Sequence, residues 1–368
     1  RVSDLLRQQL ASLRDISQGS AKRIEVDATA APLVEELLAA AGEVRACEGW
    51  GEVRARLERA RKVSVRPPRQ LQAQLRPYQL RGFAWLKRLS TWGVGACLAD
   101  DMGLGKTIQA IALLLTRTRS GPALVVAPTS VGWNWRVELR RFAPSLRPVL
   151  YRESDRSTVL EGLKGRDVVV ISYDLARIER ERLGEVEWGT LVFDEAQQVK
   201  NGASKTARAL QTLPGKWRLA LTGTPVENHL GELWALFRLI SPGLFGGWEG
   251  FKRRFAAPIE RDKDPERRAA LAALIQPFVL RRTKEQVLPD LPQRSDILLE
   301  VELSSREREA YQAARLAAIL ELSSASGGDT RFQVLAAITK LRQLACHPRL
   351  VDPAWEGGSA KLNAFKEV

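Results

Sequence analysis

The stretch Ala96-Cys97-Leu98-Ala99-Asp100-Asp101-Met102-Gly103-Leu104-Gly105-Lys106-Thr107 decides how this sequence folds. Its first four residues predict a short buried strand, and the apolar run from Ile108 to Leu115 predicts a helix. A glycine-rich turn in that setting lets backbone amides close on phosphate oxygens, and the helix N-terminus adds partial positive charge. Lys106 is then placed for the β- and γ-phosphates of a nucleotide, and the Thr107 hydroxyl for magnesium. Asp100 stands where the strict phosphate-loop pattern has its first glycine. Gly-Lys-Thr alone also occurs at ordinary helix starts, so the flanking strand and helix carry the reading.

Outward from this turn, apolar runs recur at Ala123–Ala127, Asp167–Ile171, Thr190–Phe193 and Arg218–Leu221. Helical patterns lie between them, at Trp133–Phe142 and Ala203–Leu213. Strands alternating with helices predict an α/β fold with a mostly parallel sheet flanked by helices. The runs are continuously apolar, as strands covered on both faces are.

Residues 1–65 read as a helix-rich accessory segment, with helical spacing through Val2–Leu13, Leu33–Leu38 and Val53–Ala60. Val65-Arg66-Pro67-Pro68 breaks it off as a linker. The nucleotide-binding α/β lobe spans 71–245. Residues 246–358 read as a helical protrusion and linker, with a returning strand at Asp296–Glu302 and long helices at Arg306–Leu322 and Phe332–Ala345. A flexible loop, Ser323–Asp329, separates those helices.

The chain has 368 residues and a formal net charge of +14, which predicts a polyanionic partner. No apolar run reaches the roughly 18 residues a membrane helix needs. Cys47, Cys97 and Cys346 have no ligand-like spacing, so neither disulfides nor zinc are expected and a reducing cytosol fits. Cys346-His347-Pro348 reads as a helix end. The opening Arg1-Val2-Ser3-Asp4 has no apolar leader and no initiator Met, and is expected to begin a fragment.

Further signals build on the phosphate loop. Asp194-Glu195-Ala196-Gln197 follows a predicted strand, where Asp194 is placed to hold magnesium and Glu195 to orient or deprotonate a water. Such a pair alone is more often a solvated turn. Thr222-Gly223-Thr224-Pro225 ends another strand, and on its own is a plain turn. Leu75-Arg76-Pro77-Tyr78-Gln79 opens an amphipathic helix, and the Gln79 amide has the donor and acceptor to read an adenine edge.

Taken in this order, the motifs identify a family. The sequence resembles the Swi/Snf-type ATPases, relatives of the superfamily-two helicases that include chromatin remodellers and their bacterial counterparts. The resemblance rests on Leu75–Leu86, Leu98–Gln109, Val125–Glu138, Ile171–Asp174, Asp194–Gln197 and Leu221–Leu236. Leu280-Arg281-Arg282-Thr283-Lys284 and Leu341–Pro348 also match the family. It implies a RecA-like lobe that holds ATP with Arg76, Gln79, Asp101, Met102, Gly103, Leu104, Gly105, Lys106, Thr107 and Asp194. Lys106, Asp194 and Glu195 would carry the chemistry, with magnesium on Thr107 and Asp194. Gln197, Thr222, Gly223 and Thr224 would couple nucleotide state to DNA.

The same resemblance implies an ATP-dependent translocase on double-stranded DNA that does not separate strands, acting as a monomer in the cytoplasm and associated with the nucleoid. Pro128, Thr129 and Ser130, with Ser172 and Tyr173, would contact the DNA backbone without reading sequence. Trp133 and Trp135 face different ways, one of them into the core. The basic stretch 251–286, with Arg253, Arg254 and Lys263, is a second DNA track or a solvated face. Residues 359–368 would begin a second lobe whose arginine finger lies beyond Val368, so nucleotide binding is expected to exceed hydrolysis. Such a finger supplies about 10³–10⁵ in rate. Rival readings are an ATPase acting on a DNA-bound protein such as RNA polymerase, a non-catalytic nucleotide-gated DNA-binding module, and an RNA helicase.

Overall fold

The computed structural model describes residues 29, 31, 34, 35, 48–156, 158–199, 201, 202, 204–225, 228–287, 298–324 and 330–367. The predicted helices over Val2–Leu13 and most of Leu33–Leu38 lie outside them, as does the loop over 325–329. The chain divides into two compact units, Arg1–Leu291 and Pro292–Val368.

Seven parallel strands build the first unit: β1 (Ala96–Leu98), β2 (Ala123–Ala127), β3 (Arg147–Leu150), β4 (Asp167–Ser172), β5 (Thr190–Asp194), β6 (Arg218–Leu221) and β7 (Val279–Leu280). Their order across the sheet is β3-β4-β2-β5-β6-β1-β7. Every residue of β1, β2 and β5 is buried, which is why these strands read as unbroken apolar runs. Helices Pro77–Trp92, Lys106–Thr116, Thr129–Phe142 and Leu230–Ile240 pack beside them. Helix Leu230–Ile240 meets the start of β1 at Gly95, where a Cβ would lie 2.1 Å from the Ile240 carbonyl oxygen. Only glycine allows that approach.

Helix Glu48–Lys62 contains the predicted Val53–Ala60 stretch and packs through Leu57 and Ala60 into the same core. Beyond residue 246 the chain continues in the first compact unit. Phe251, Phe255 and Phe278 are buried with the sheet's own side chains. Of the expected returning strand Asp296–Glu302, residues 296 and 297 lie outside the described residues and Leu298–Glu302 form no strand; β7 takes the free edge of β1 through Cys97–Val279 and Leu98–Leu280. Leu298 is 85% exposed.

In the second unit, helices Ser305–Ser324 and Thr330–Cys346 precede a short helix Ala360–Glu367. Buried Glu307 accepts from the Ser304 hydroxyl at 2.6 Å and the Ala360 amide at 3.1 Å, tying the unit's first helix to its last. No helix among the described residues is long and apolar enough to cross a membrane.

Candidate active site

The sheet register assembles the predicted motifs along one edge. Leu98 of β1 is level with Leu221 of β6 and Leu280 of β7, and Asp194 of β5 is level with Leu221. Ala127 of β2 is level with Ser172 of β4. Because all strands run the same way, the segments that follow them emerge together at the carboxyl ends.

The phosphate loop leaves β1 there. Gly103 and Gly105 hold left-handed backbone, φ 85° and 77°, which side-chain-bearing residues rarely adopt. A Cβ on Gly105 would sit 2.5 Å from Gln79 Nε2, so helix Pro77–Trp92 and the loop touch here. Gln79 Oε1 accepts from the Arg76 amide at 3.0 Å, while Nε2 donates to the Leu104 carbonyl at 3.2 Å. Gln79 thus joins the helix start to the loop, and Arg76 itself is exposed. Lys106 Nζ donates to the Asp100 and Asp101 carbonyls at 2.8 and 3.4 Å, holding its ammonium inside the loop. Met102 is exposed and lies against Gly223, so loop and threonine turn are neighbours.

Asp100 has a structural explanation. It is fully buried, and Arg282 donates to both carboxylate oxygens, from Nε at 2.9 Å and from Nη2. Arg282 also donates to the Tyr78 carbonyl, and to Gln109 Oε1 at 3.0 Å. A glycine here would leave that guanidinium without its anion. Arg282 lies in a family-like stretch of the sequence that gives it no role. It stands 182 positions from Asp100, and nothing in local pattern links them.

Asp194 is buried at the end of β5. Its Oδ2 accepts from Trp135 Nε1 at 2.7 Å and its Oδ1 from the Glu195 amide at 3.0 Å. Burial pushes its carboxyl above the usual range; the Trp135 bond opposes this and the Glu195 charge adds to it. Glu195 holds a left-handed backbone, φ 49°. Its Oε2 accepts from Gln197 Nε2 at 2.6 Å, and Gln197 Oε1 accepts from the Thr222 hydroxyl at 2.7 Å. The Thr224 amide then donates to Thr222 Oγ1 at 3.1 Å. The carboxylate and threonine motifs are therefore one hydrogen-bonded chain.

The predicted backbone-contact residues gather at the neighbouring strand ends. A cavity of about 370 Å³ is lined by Pro128, Thr129, Ser172, Trp133, Arg152 and Arg156, among others. Thr129 and Ser130 open helix Thr129–Phe142 and are exposed, with no side chain capping that helix. Ser172 caps helix Tyr173–Ile178, accepting from the Leu175 amide at 3.4 Å. Tyr173, next to Ser172, turns its side chain inward. It is buried, and its hydroxyl donates to the Asp194 carbonyl at 2.8 Å, which supports the end of β5. Burial, with Asp194 and Glu195 nearby, pushes that hydroxyl well above its ordinary titration range. Of the two tryptophans, Trp135 is core and Trp133 is 55% exposed beneath the Arg136 guanidinium, 3.7 Å from its ring centre. Arg254 is likewise spoken for, donating to the Phe245 and Gly250 carbonyls at 2.8 and 3.1 Å.

A family model described as the SNF2-related domain matches residues 78–350. The chain belongs to the SNF2-related family. This SNF2-family chain is 40% identical over 308 residues to YwqA of Bacillus subtilis (strain 168), covering 80% of itself and 33% of YwqA. It is 36% identical over 323 residues to the chromatin-remodeling ATPase INO80 of Cryptococcus neoformans, covering 79% of itself and 18% of INO80. Among solved structures, the Sulfolobus solfataricus SWI2/SNF2 ATPase core in complex with dsDNA matches with a TM-score of 0.60 at 37% identity. That match covers 83% of this chain and 66% of the other. The chain thus spans about a third of YwqA and under a fifth of INO80. The RecA-like parallel sheet implied by the motifs is the fold observed.

Proposed function

We propose that this chain is the ATP-binding half of an SNF2-family ATPase that moves along double-stranded DNA without separating its strands. The observation that carries this is the hydrogen-bonded chain from Glu195 through Gln197 to Thr222 and Thr224, set between the phosphate loop and the DNA-side strand ends.

The residues fit ATP with magnesium. The left-handed backbone of Gly103 and Gly105 gives the turn of a phosphate-binding loop. Each Asp194 oxygen accepts one hydrogen bond, leaving a lone pair for a hard cation that the Thr107 hydroxyl also suits. When bound, ATP–magnesium supplies the scissile anhydride and a Lewis acid. Lys106 would neutralise phosphate charge, and Glu195, oriented by Gln197, would position a water. Thr222 would report the state of that carboxylate to Thr224.

For the polyanion, the Thr129 and Ser130 amides and hydroxyls offer phosphate donors, and Arg152 and Arg156 add charge at the same cavity. The solved relative held DNA, which supports a duplex as the partner.

Binding of a fluorescent ATP analogue tests the first half. Lys106→Ala is expected to weaken it at least tenfold, and equal affinity would refute it. Salt titration of duplex binding tests the second. Replacing Arg152 and Arg156 by Ala is expected to lower the salt slope by about 2, at about 0.9 per phosphate contact. An unchanged slope would remove these arginines from the track.

A further inference from the structure

The segment that follows β7 closes one side of the phosphate loop. Leu280 O accepts from the Ala99 amide at 2.7 Å, Arg282 O from the Asp101 amide at 3.0 Å, and the Lys284 amide donates to Asp101 Oδ2 at 3.0 Å. The Arg282 side chain clamps buried Asp100. Residues 280–284 are therefore fixed to the loop at every second position. Thr283 caps the next turn, since its amide donates to Gln286 Oε1 at 3.0 Å and its hydroxyl accepts from the Gln286 amide at 3.4 Å.

This scaffolding directs Lys284 toward the middle of the loop. A methyl group placed on Gly103 would lie 3.7 Å from Lys284 Cε and 3.9 Å from Nζ. The side chain is exposed, and among the described residues its ammonium makes no ion pair or hydrogen bond. Asp101 spends its Oδ2 on the Lys284 amide instead. An unpaired cation is thus held against a loop whose first cation, Lys106, turns inward to the Asp100 and Asp101 carbonyls.

We propose that Lys284 is a second phosphate-binding cation of the nucleotide site, reaching the polyphosphate from the segment after β7 while Arg282 sets its position. This rests on the nucleotide reading above. Because Lys284 is attached through β7 and not through the loop, it adds a contact that the phosphate-loop pattern does not encode.

The test compares Lys284→Ala with Arg281→Ala, which removes an equally exposed charge one residue before Arg282. Equilibrium binding of ATP and of adenosine is measured for each full chain, with thermal unfolding as a check on folding. Lys284→Ala is expected to weaken ATP binding about tenfold and leave adenosine binding unchanged, whereas Arg281→Ala changes neither more than about twofold. Lys284→Glu is expected to weaken ATP binding further. Equal ATP affinity for the two alanine variants overturns the proposal, as does an equal loss of adenosine binding, which would mark a general disturbance of the loop. Failure of the unsubstituted chain to bind ATP overturns the nucleotide reading and this proposal together.

Discussion

Trp135 Nε1 donates a 2.7 Å hydrogen bond to Asp194 Oδ2, joining helix Thr129–Phe142 to the carboxylate at the end of β5. Both groups are buried, so water does not replace a lost partner. Trp135→Phe is expected to cost about 1–3 kcal/mol, the penalty for an unsatisfied buried acceptor. Trp133→Phe, on the exposed side, is expected to stay within about 0.5 kcal/mol. Urea unfolding of the two variants checks this. Equal stabilities would deny the bond any role.

The Arg282–Asp100 pair predicts a sharper effect. Its side chains are 11% and 0% exposed, so Arg282→Ala strands a buried carboxylate. A loss of about 3–5 kcal/mol is expected. Asp100→Asn added to Arg282→Ala is expected to recover part of it by removing the stranded charge. Unfolding free energies of the single and double variants decide, and a double variant no more stable than the single would contradict the account.

Thr222→Val removes the donor to Gln197 and the acceptor for the Thr224 amide while keeping the shape of the side chain. ATP affinity is expected to change less than about threefold, because Thr222 does not belong to the phosphate loop. Stability is expected to fall by about 1–3 kcal/mol, since the Gln197 and Thr224 groups lose partners. A tenfold loss of ATP affinity would place Thr222 in the binding site itself.

Much of this architecture is legible in the sequence, for physical reasons. Strands β1, β2, β4, β5 and β6 are covered on both faces and so carry uninterrupted apolar runs. β3 and β7 lie at the two sheet edges, are only partly buried, and leave no such run. Pro148 further disguises β3, and an outer strand tolerates its missing donor. Motif spacing likewise places Lys106, Asp194 and Thr222, because each follows its strand directly. Arg282, Lys284 and the inward turn of Tyr173 are not legible that way. They depend on which strand neighbours which, and that is set by packing across the whole chain.

The strand order has an electrostatic consequence. β4, at the proposed DNA side, and β1, which carries the phosphate loop, are separated by β2, β5 and β6. At about 4.8 Å per strand, four steps set the two sites about 19 Å apart. The Debye length in physiological salt is about 8 Å. Two strongly negative ligands, a nucleotide and a duplex, can therefore occupy this edge together with little direct repulsion. Under the proposed function, any influence of one on the other is expected to be mechanical, along the Glu195–Gln197–Thr222 chain on the strands between them.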